Sequence, residues 1–196
     1  SPRHLCQSCH ERPPSYTKAW TLYPYRPPLQ DAICLFKYSG KVSLADPLAQ
    51  LMIARLPPLD DIGLIIPVPL HAERLREREF NQSLLLADRI GRHLKIPVSG
   101  TALIRIAPAP PQTTLSRRER LNNLRGAFAV PRPTSIAGKH ILLIDDVLTT
   151  GTTVNVCAKT LRKAGAGHVF VLTLGRTVDA NHIPDRIFAQ RKLQLL

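Results

Sequence analysis

With 196 residues, 44% of them hydrophobic and only 5% aromatic, the chain is long enough to bury an aliphatic core of the α/β kind. No apolar run approaches the roughly 18 residues that span a bilayer, and no basic leader followed by an apolar stretch is seen, which excludes a transmembrane helix and gives the expectation of a cytoplasmic protein. Lys and Arg number 27 against 14 Asp and Glu, a net charge of +13, which favours polyanionic ligands: a phosphorylated substrate, a nucleic acid strand, or both.

The amino-terminal HLCQSCHERPP holds a single C-x-x-C knuckle, Cys6 and Cys9, with His4 and His10 beside it. A structural zinc generally takes four ligands from two knuckles, so one knuckle is half a site. Residual zinc binding through Cys6, Cys9 and a histidine competes with a loosely packed start. Proline clusters at Pro13–Pro14, Pro27–Pro28, Pro57–Pro58, Pro108–Pro111 and Pro131–Pro133 mark the joints. Between them the pattern predicts helices near Leu29–Tyr38 and Leu44–Leu56, then a buried strand at Ile62–Ile66. Cys34 and Cys157 fall in helical patterns, where a free cysteine is a small buried hydrophobe.

PVPLHAERLREREFNQ follows the predicted strand, so with parallel strands it lies on the carboxyl-end rim of the sheet, where ligands bind. Pro67 and Pro69 stiffen the loop, Val68 and Leu70 alternate with them, and Arg74, Arg76 and Arg78 offer planar donors to phosphate oxygens. Glu73, Glu77 and Glu79 interleave with those arginines, and a solvated charge-mixed turn is the competing reading. A helix is predicted over Gln82–Leu94 with Asn81 as its cap, and a strand near Leu103–Ile106. In SRRERLNNLRG, Ser116 and Glu119 have capping-box spacing, so a short helix begins there with its arginines exposed.

ILLIDDVLTTGTT, Ile141 to Thr153, is the most specific stretch. Ile141–Ile144 is an apolar run of the kind a strand buried on both faces requires, ending at Asp145 and Asp146. Thr149, Thr150, Gly151, Thr152 and Thr153 then open a helix through Val154, Cys157, Ala158 and Leu161, which Gly165 and Gly167 end. A strand, tight loop and helix in this order set backbone N–H groups and the helix dipole toward an anion. Carboxylates beside such a loop suit a sugar phosphate, since they accept hydrogen bonds from vicinal ribose hydroxyls. Capping of a strand and a helix is the plainer alternative. His168–Leu174 reads as a last apolar strand.

The thirteen residues from Ile141 to Thr153 resemble the 5-phosphoribosyl 1-diphosphate (PRPP) motif of the type I phosphoribosyltransferases. With IIPVPL at Ile65–Leu70, FNQS at Phe80–Ser83, QTTLSRRERLNNLRGAF at Gln112–Phe128 and CLFKYSGK at Cys34–Lys41, the chain is similar to the competence protein F (ComF/GntX) family from about Cys6 to Arg176. The resemblance implies a type I phosphoribosyltransferase fold, α/β with a mostly parallel twisted sheet flanked by helices, over residues 21–196. It also implies that residues 1–20 are a linker and the truncated remnant of a four-cysteine zinc ribbon.

By the same resemblance Thr149–Thr153 hold the 5-phosphate and Asp145 and Asp146 serve the ribose as catalytic residues. Pro67, Val68, Pro69, Leu70, Arg74, Arg78, Asn81 and Gln82 form the pyrophosphate loop, and Gln112, Arg117 and Arg118 a loop that folds over PRPP. Magnesium is implied with PRPP, held mainly by substrate oxygens. The implied reaction is transfer of the phosphoribosyl group with pyrophosphate release to an acceptor that no residue names. Implied partners are single-stranded DNA and a helicase-like ATPase of the competence machinery. Glu79 stands where the family pattern R-G-F-N-Q has glycine. A catalytically silent single-strand-binding protein of DNA uptake and a PRPP sensor remain as alternatives.

Overall fold

A computed structural model describes residues 13–106 and 126–177. Cys6, Cys9, Gln112, Ser116, Arg117, Arg118 and Glu119 lie outside the described residues.

Four strands form one sheet in the order β1-β6-β5-β2, every neighbouring pair parallel. They are β1 (Lys18–Pro24), β2 (Leu64–Pro67), β5 (Ile141–Leu148) and β6 (Val169–Arg176). Ile141–Ile144 and Leu64–Pro67 are buried throughout, as strands covered on both faces must be. Beyond β2, Val98 adds a parallel bridge to Ile65. A short antiparallel pair, β3 (Ile104–Arg105) and β4 (Phe128–Ala129), stands apart from this sheet.

Alternation along β5 divides its side chains between two cores. Ile141 and Leu143 pack with Val154, Cys157 and Leu161 of α5 (Thr152–Lys163). Leu142 and Ile144 pack with Ile33 and Phe36 of α1 (Leu29–Tyr38), Leu48 and Met52 of α2 (Ala45–Ile53), and Leu86 and Ile90 of α4 (Gln82–Leu94). Helices therefore cover both faces of the sheet. Gly91 sits where α4 meets the chain returning to Val98: a Cβ there would lie 2.3 Å from Val98 Cγ2 and 2.9 Å from the Ile96 carbonyl. Only glycine allows that approach.

Several boundaries differ from the sequence pattern for physical reasons. The helix expected at Leu44–Leu56 is α2 over Ala45–Ile53, preceded by a 3-10 turn at Val42–Leu44, so that Pro47 falls in its first turn, where proline is tolerated. The strand expected at Ile62–Ile66 runs from Leu64 to Pro67, after Gly63. The segment after β2 is not all loop, since α3 (Ala72–Arg78) forms within it, capped by His71, whose Nδ1 accepts from the Glu73 N–H at 3.4 Å. β1, which the pattern did not predict, takes KAWTLYP into the sheet beside β6 and so straddles the expected boundary between residues 20 and 21. β5 does not stop at its acids: Asp145 pairs with Thr173 and Leu148 with Arg176.

Candidate functional site at the carboxyl ends of the strands

Asp145 and Asp146 are consecutive strand residues and therefore leave β5 on opposite faces. Asp145 Oδ1 accepts from the Ser83 hydroxyl at 2.9 Å and from the Asp146 N–H at 2.9 Å. Desolvation, reinforced by the neighbouring Asp146 charge, raises the Asp145 carboxyl to about 7, against the opposing pull of Lys37 and these two donors. Asp146 is buried, and its Oδ1 lies 2.8 Å from Lys37 Nζ at the end of α1. Each carboxylate thus uses Oδ1 internally. Oδ2 of each has no hydrogen bond among the described residues.

The loop after β5 closes at Gly151, whose φ of +74° is the left-handed conformation that favours glycine. It also serves as the N-cap of α5 and contributes no capping side chain, and the first turn carries no acid. The first N–H groups of a helix have no partner within it, and the first turn of α5 supplies no carboxylate to offset their dipole. Thr149 and Thr150 are exposed. Thr150 Oγ1 meets Thr152 Oγ1 at 2.9 Å and accepts weakly from the Thr152 N–H at 3.4 Å, so the two hydroxyls are held beside those donors. Residues 149–153 thus offer hydroxyl and N–H donors and no cationic side chain, an arrangement that can accept an anion.

On the β2 side, the Val68 N–H donates to the Ile144 carbonyl at 2.9 Å, extending the ladder past Pro67. Asn81 ties the loop shut: Nδ2 donates to the Val68 carbonyl at 3.1 Å, and Oδ1 accepts from the Ser83 and Leu84 N–H groups, capping α4. That cap brings Ser83 to Asp145. Gln82 is almost fully buried, and its Nε2 has no hydrogen bond among the described residues.

Arg74 and Arg78, one turn apart on α3, have different partners. Arg74 is paired on the surface with Glu77 at 2.9 Å. Arg78 lies over the Tyr38 ring at 4.8 Å, with Nε buried and unbonded among the described residues. A cavity of about 260 Å³ is lined by Lys37, Tyr38, Gly40, Glu77, Arg78 and Glu79. Glu79 takes φ +65°, a left-handed conformation. The backbone itself therefore accounts for a glycine preference at this position.

The fold brings Asp145, Asp146, Thr149–Thr153, Pro67–Leu70, Asn81 and Gln82 to one rim. Lys37 and Ser83 were not singled out as site residues, although both lie in motifs that stand out in the sequence, CLFKYSGK and FNQS. Among the described residues no group of three or more His, Cys, Asp and Glu is placed to hold a metal ion. Nearby, Tyr25 is pushed up to about 12 by burial and its 3.6 Å contact with Cys34 Sγ. Burial raises the Cys157 thiol well above its usual range, consistent with a structural cysteine.

A model of the phosphoribosyl transferase domain matches residues 81–184. DNA utilization protein YhgH of Shigella flexneri is 36% identical over 182 residues, covering 89% of this chain and 79% of the relative. Competence protein F of Haemophilus influenzae is 33% identical over 178 residues, covering 87% of this chain and 78% of the relative. Among solved structures, the adenine phosphoribosyltransferase of Thermoanaerobacter pseudethanolicus aligns with a TM-score of 0.45 and 12% identity, over 71% of this chain and 83% of that one. No helix among the described residues is long and apolar enough to cross a membrane.

Proposed function

Because the chain belongs to the competence protein F family and has its phosphoribosyltransferase-like domain, of the type I fold, we propose that the carboxyl-end rim binds PRPP and transfers its phosphoribosyl group, releasing pyrophosphate, to an acceptor used in DNA uptake or utilisation. One observation carries this reading: an acid pair whose Oδ2 atoms have no hydrogen bond among the described residues stands two residues before a threonine loop, which opens a helix whose N-cap, Gly151, has no capping side chain. A ribose 5-phosphate needs those two features side by side.

In this reading the 5-phosphate accepts from the N–H groups at the start of α5 and from the Thr150 and Thr152 hydroxyls. The ribose hydroxyls donate to Asp145 and Asp146. As the bond from C1 to pyrophosphate breaks, positive charge builds on the sugar, and the carboxylates are placed to stabilise it. Asp145 must be ionised to do so, and a cation beside it favours that form. The donor set suits magnesium entering on the pyrophosphate, which needs only one or two carboxylates and no protein cage. Asp145 and Asp146 would hold it, and it would supply neutralisation of the leaving group. Lys37 and Arg78 offer further positive charge, Lys37 by exchanging Asp146 for a substrate oxygen. The acceptor attacks C1 as pyrophosphate leaves, and its proton passes to the released pyrophosphate.

The test is a titration with PRPP and magnesium that follows thermal stability and pyrophosphate together. Stabilisation lost in Thr150→Ala supports the site, and pyrophosphate release with an acceptor supports transfer. Absence of any stabilisation refutes both. A second reading, PRPP binding without transfer, is favoured by Glu79, a carboxylate in a strained conformation on the pyrophosphate side. It predicts stabilisation without pyrophosphate release for every acceptor tried.

A further inference from the structure

At the opposite, amino-terminal end of the sheet, four aromatic rings cross three strands on one face. Trp20 of β1 stacks on Phe170 of β6 with ring centroids 5.7 Å apart and planes at 25°. Phe170 lies 6.1 Å from His168, and His168 meets His140 edge-on at 4.9 Å. Register explains the row. Lys18 is the cross-strand partner of Phe170 and Ile141 that of Val169, so His140 stands beside His168, and residues two apart on each strand share the face. Trp20 and Phe170 rest on the core shared with α1, α2 and α4 while keeping part of their surface open, and His168 is exposed.

Charge accompanies the rings. Lys18 Nζ lies 4.9 Å over the Trp20 ring. Exposed Lys139 adjoins His140, and Arg162 reaches round from α5 to donate to the Gly167 carbonyl, next to His168. Asp60 and Asp61, both exposed, precede Gly63, whose N–H donates to the His140 carbonyl. Cations therefore dominate from His168 to Lys18. Asp145 lies five residues beyond His140, about 17 Å along an extended strand, so this row is separate from the rim described above.

We propose that this row is a binding surface for single-stranded nucleic acid, its bases stacking on Trp20, Phe170 and His168 and its phosphates meeting Lys18, Lys139 and Arg162. Half-buried rings anchored on a core, with cations alongside, are the chemistry that holds unpaired bases with little sequence preference. A net charge of +13 supplies the attraction. The inference deepens the proposed role in DNA utilisation but does not depend on PRPP binding.

Trp20 is the only tryptophan of the chain, so its fluorescence reports directly on the surface. The experiment titrates the full chain with an oligothymidylate, following Trp20 emission and, with a labelled strand, anisotropy. Expected are quenching of Trp20, roughly tenfold weaker binding in Phe170→Leu and His168→Ala, and a salt dependence made shallower by about 0.7 in Lys18→Ser. PRPP stabilisation is measured on the same variants. If it is kept while strand binding falls, the fold is intact and the two sites are separate. Strand binding with unchanged Trp20 emission and unchanged affinity in all three variants would overturn the proposal. So would no binding at all, or an emission change that tracks protein concentration and reports a second copy of the chain on this face.

Discussion

Glu79 is the residue whose replacement tests most directly how the backbone shapes the candidate site. Its φ of +65° and ψ of −12° end α3 in the left-handed region. For a residue with a Cβ that conformation costs about 1–2 kcal/mol, whereas glycine adopts it freely. Glycine returns about 0.5–1 kcal/mol of the gain through its more flexible unfolded chain. The expected net effect of Glu79→Gly is therefore a stabilisation of about 0.5–1 kcal/mol, or roughly 1–4 °C in Tm for a domain of this size. Glu79→Ala removes the same carboxylate but keeps the strained Cβ, so it separates backbone strain from charge. Urea unfolding of the three proteins at neutral pH provides the comparison. If Glu79→Ala is as stable as Glu79→Gly, the conformational reasoning fails. The cavity beside Lys37 and Arg78 gives a second readout: both variants remove negative charge there, and both should bind PRPP a few-fold more tightly.

Asp145 sets a pH dependence whose sign follows from its raised carboxyl, about 7 in the folded chain against about 3.9 when unfolded. The folded state holds the extra proton between those values, so this contribution to stability is full below about pH 4 and is lost as pH rises through 7. Asp145→Asn should remove that loss, gaining on the parent in urea midpoint at pH 8 relative to pH 5; equal shifts in the two proteins would refute the assignment. Thr150→Ala should change stability by less than about 1 kcal/mol, because the residue is exposed. It should also weaken PRPP binding by roughly tenfold, as read by ligand-induced thermal shift. Gly91→Ala should destabilise by about 1–3 kcal/mol in denaturant, because its Cβ meets Val98 and the Ile96 carbonyl. A neutral result would mean that the loop at Val98 yields at no cost.

The strand, turn and helix of the candidate site were legible because they are contiguous. Ile141–Ile144, the two acids and the threonine loop specify strand, turn and helix by local pattern, and Asn81 declares the cap of α4. Where neighbours decide, the local signal failed. β1 has mixed burial and lies after a proline cluster, so KAWTLYP becomes a strand only because β6 offers it an open edge. The acids look like the end of an apolar run, yet β5 continues through them because β6 pairs as far as Leu148.

What the sequence by itself determined is chemistry carried on neighbouring residues: an acid pair, a threonine-rich turn and a helix whose N-cap is a glycine with no capping side chain. Tertiary structure decided which distant side chains meet them. Lys37 is over a hundred residues from Asp146, and Ser83 lies 62 residues before Asp145. Only the packing of α1 and α4 against β5, with the end of one and the start of the other at the acids, brings these partners together, and the burial that results raises the Asp145 carboxyl. The same is true of the ring row: Trp20 and Phe170 come from β1 and β6, His168 and His140 from the residues just before β6 and β5, and they share a face through register alone. Local pattern is written in consecutive residues, whereas burial, charge pairing and register exist only once the sheet has closed.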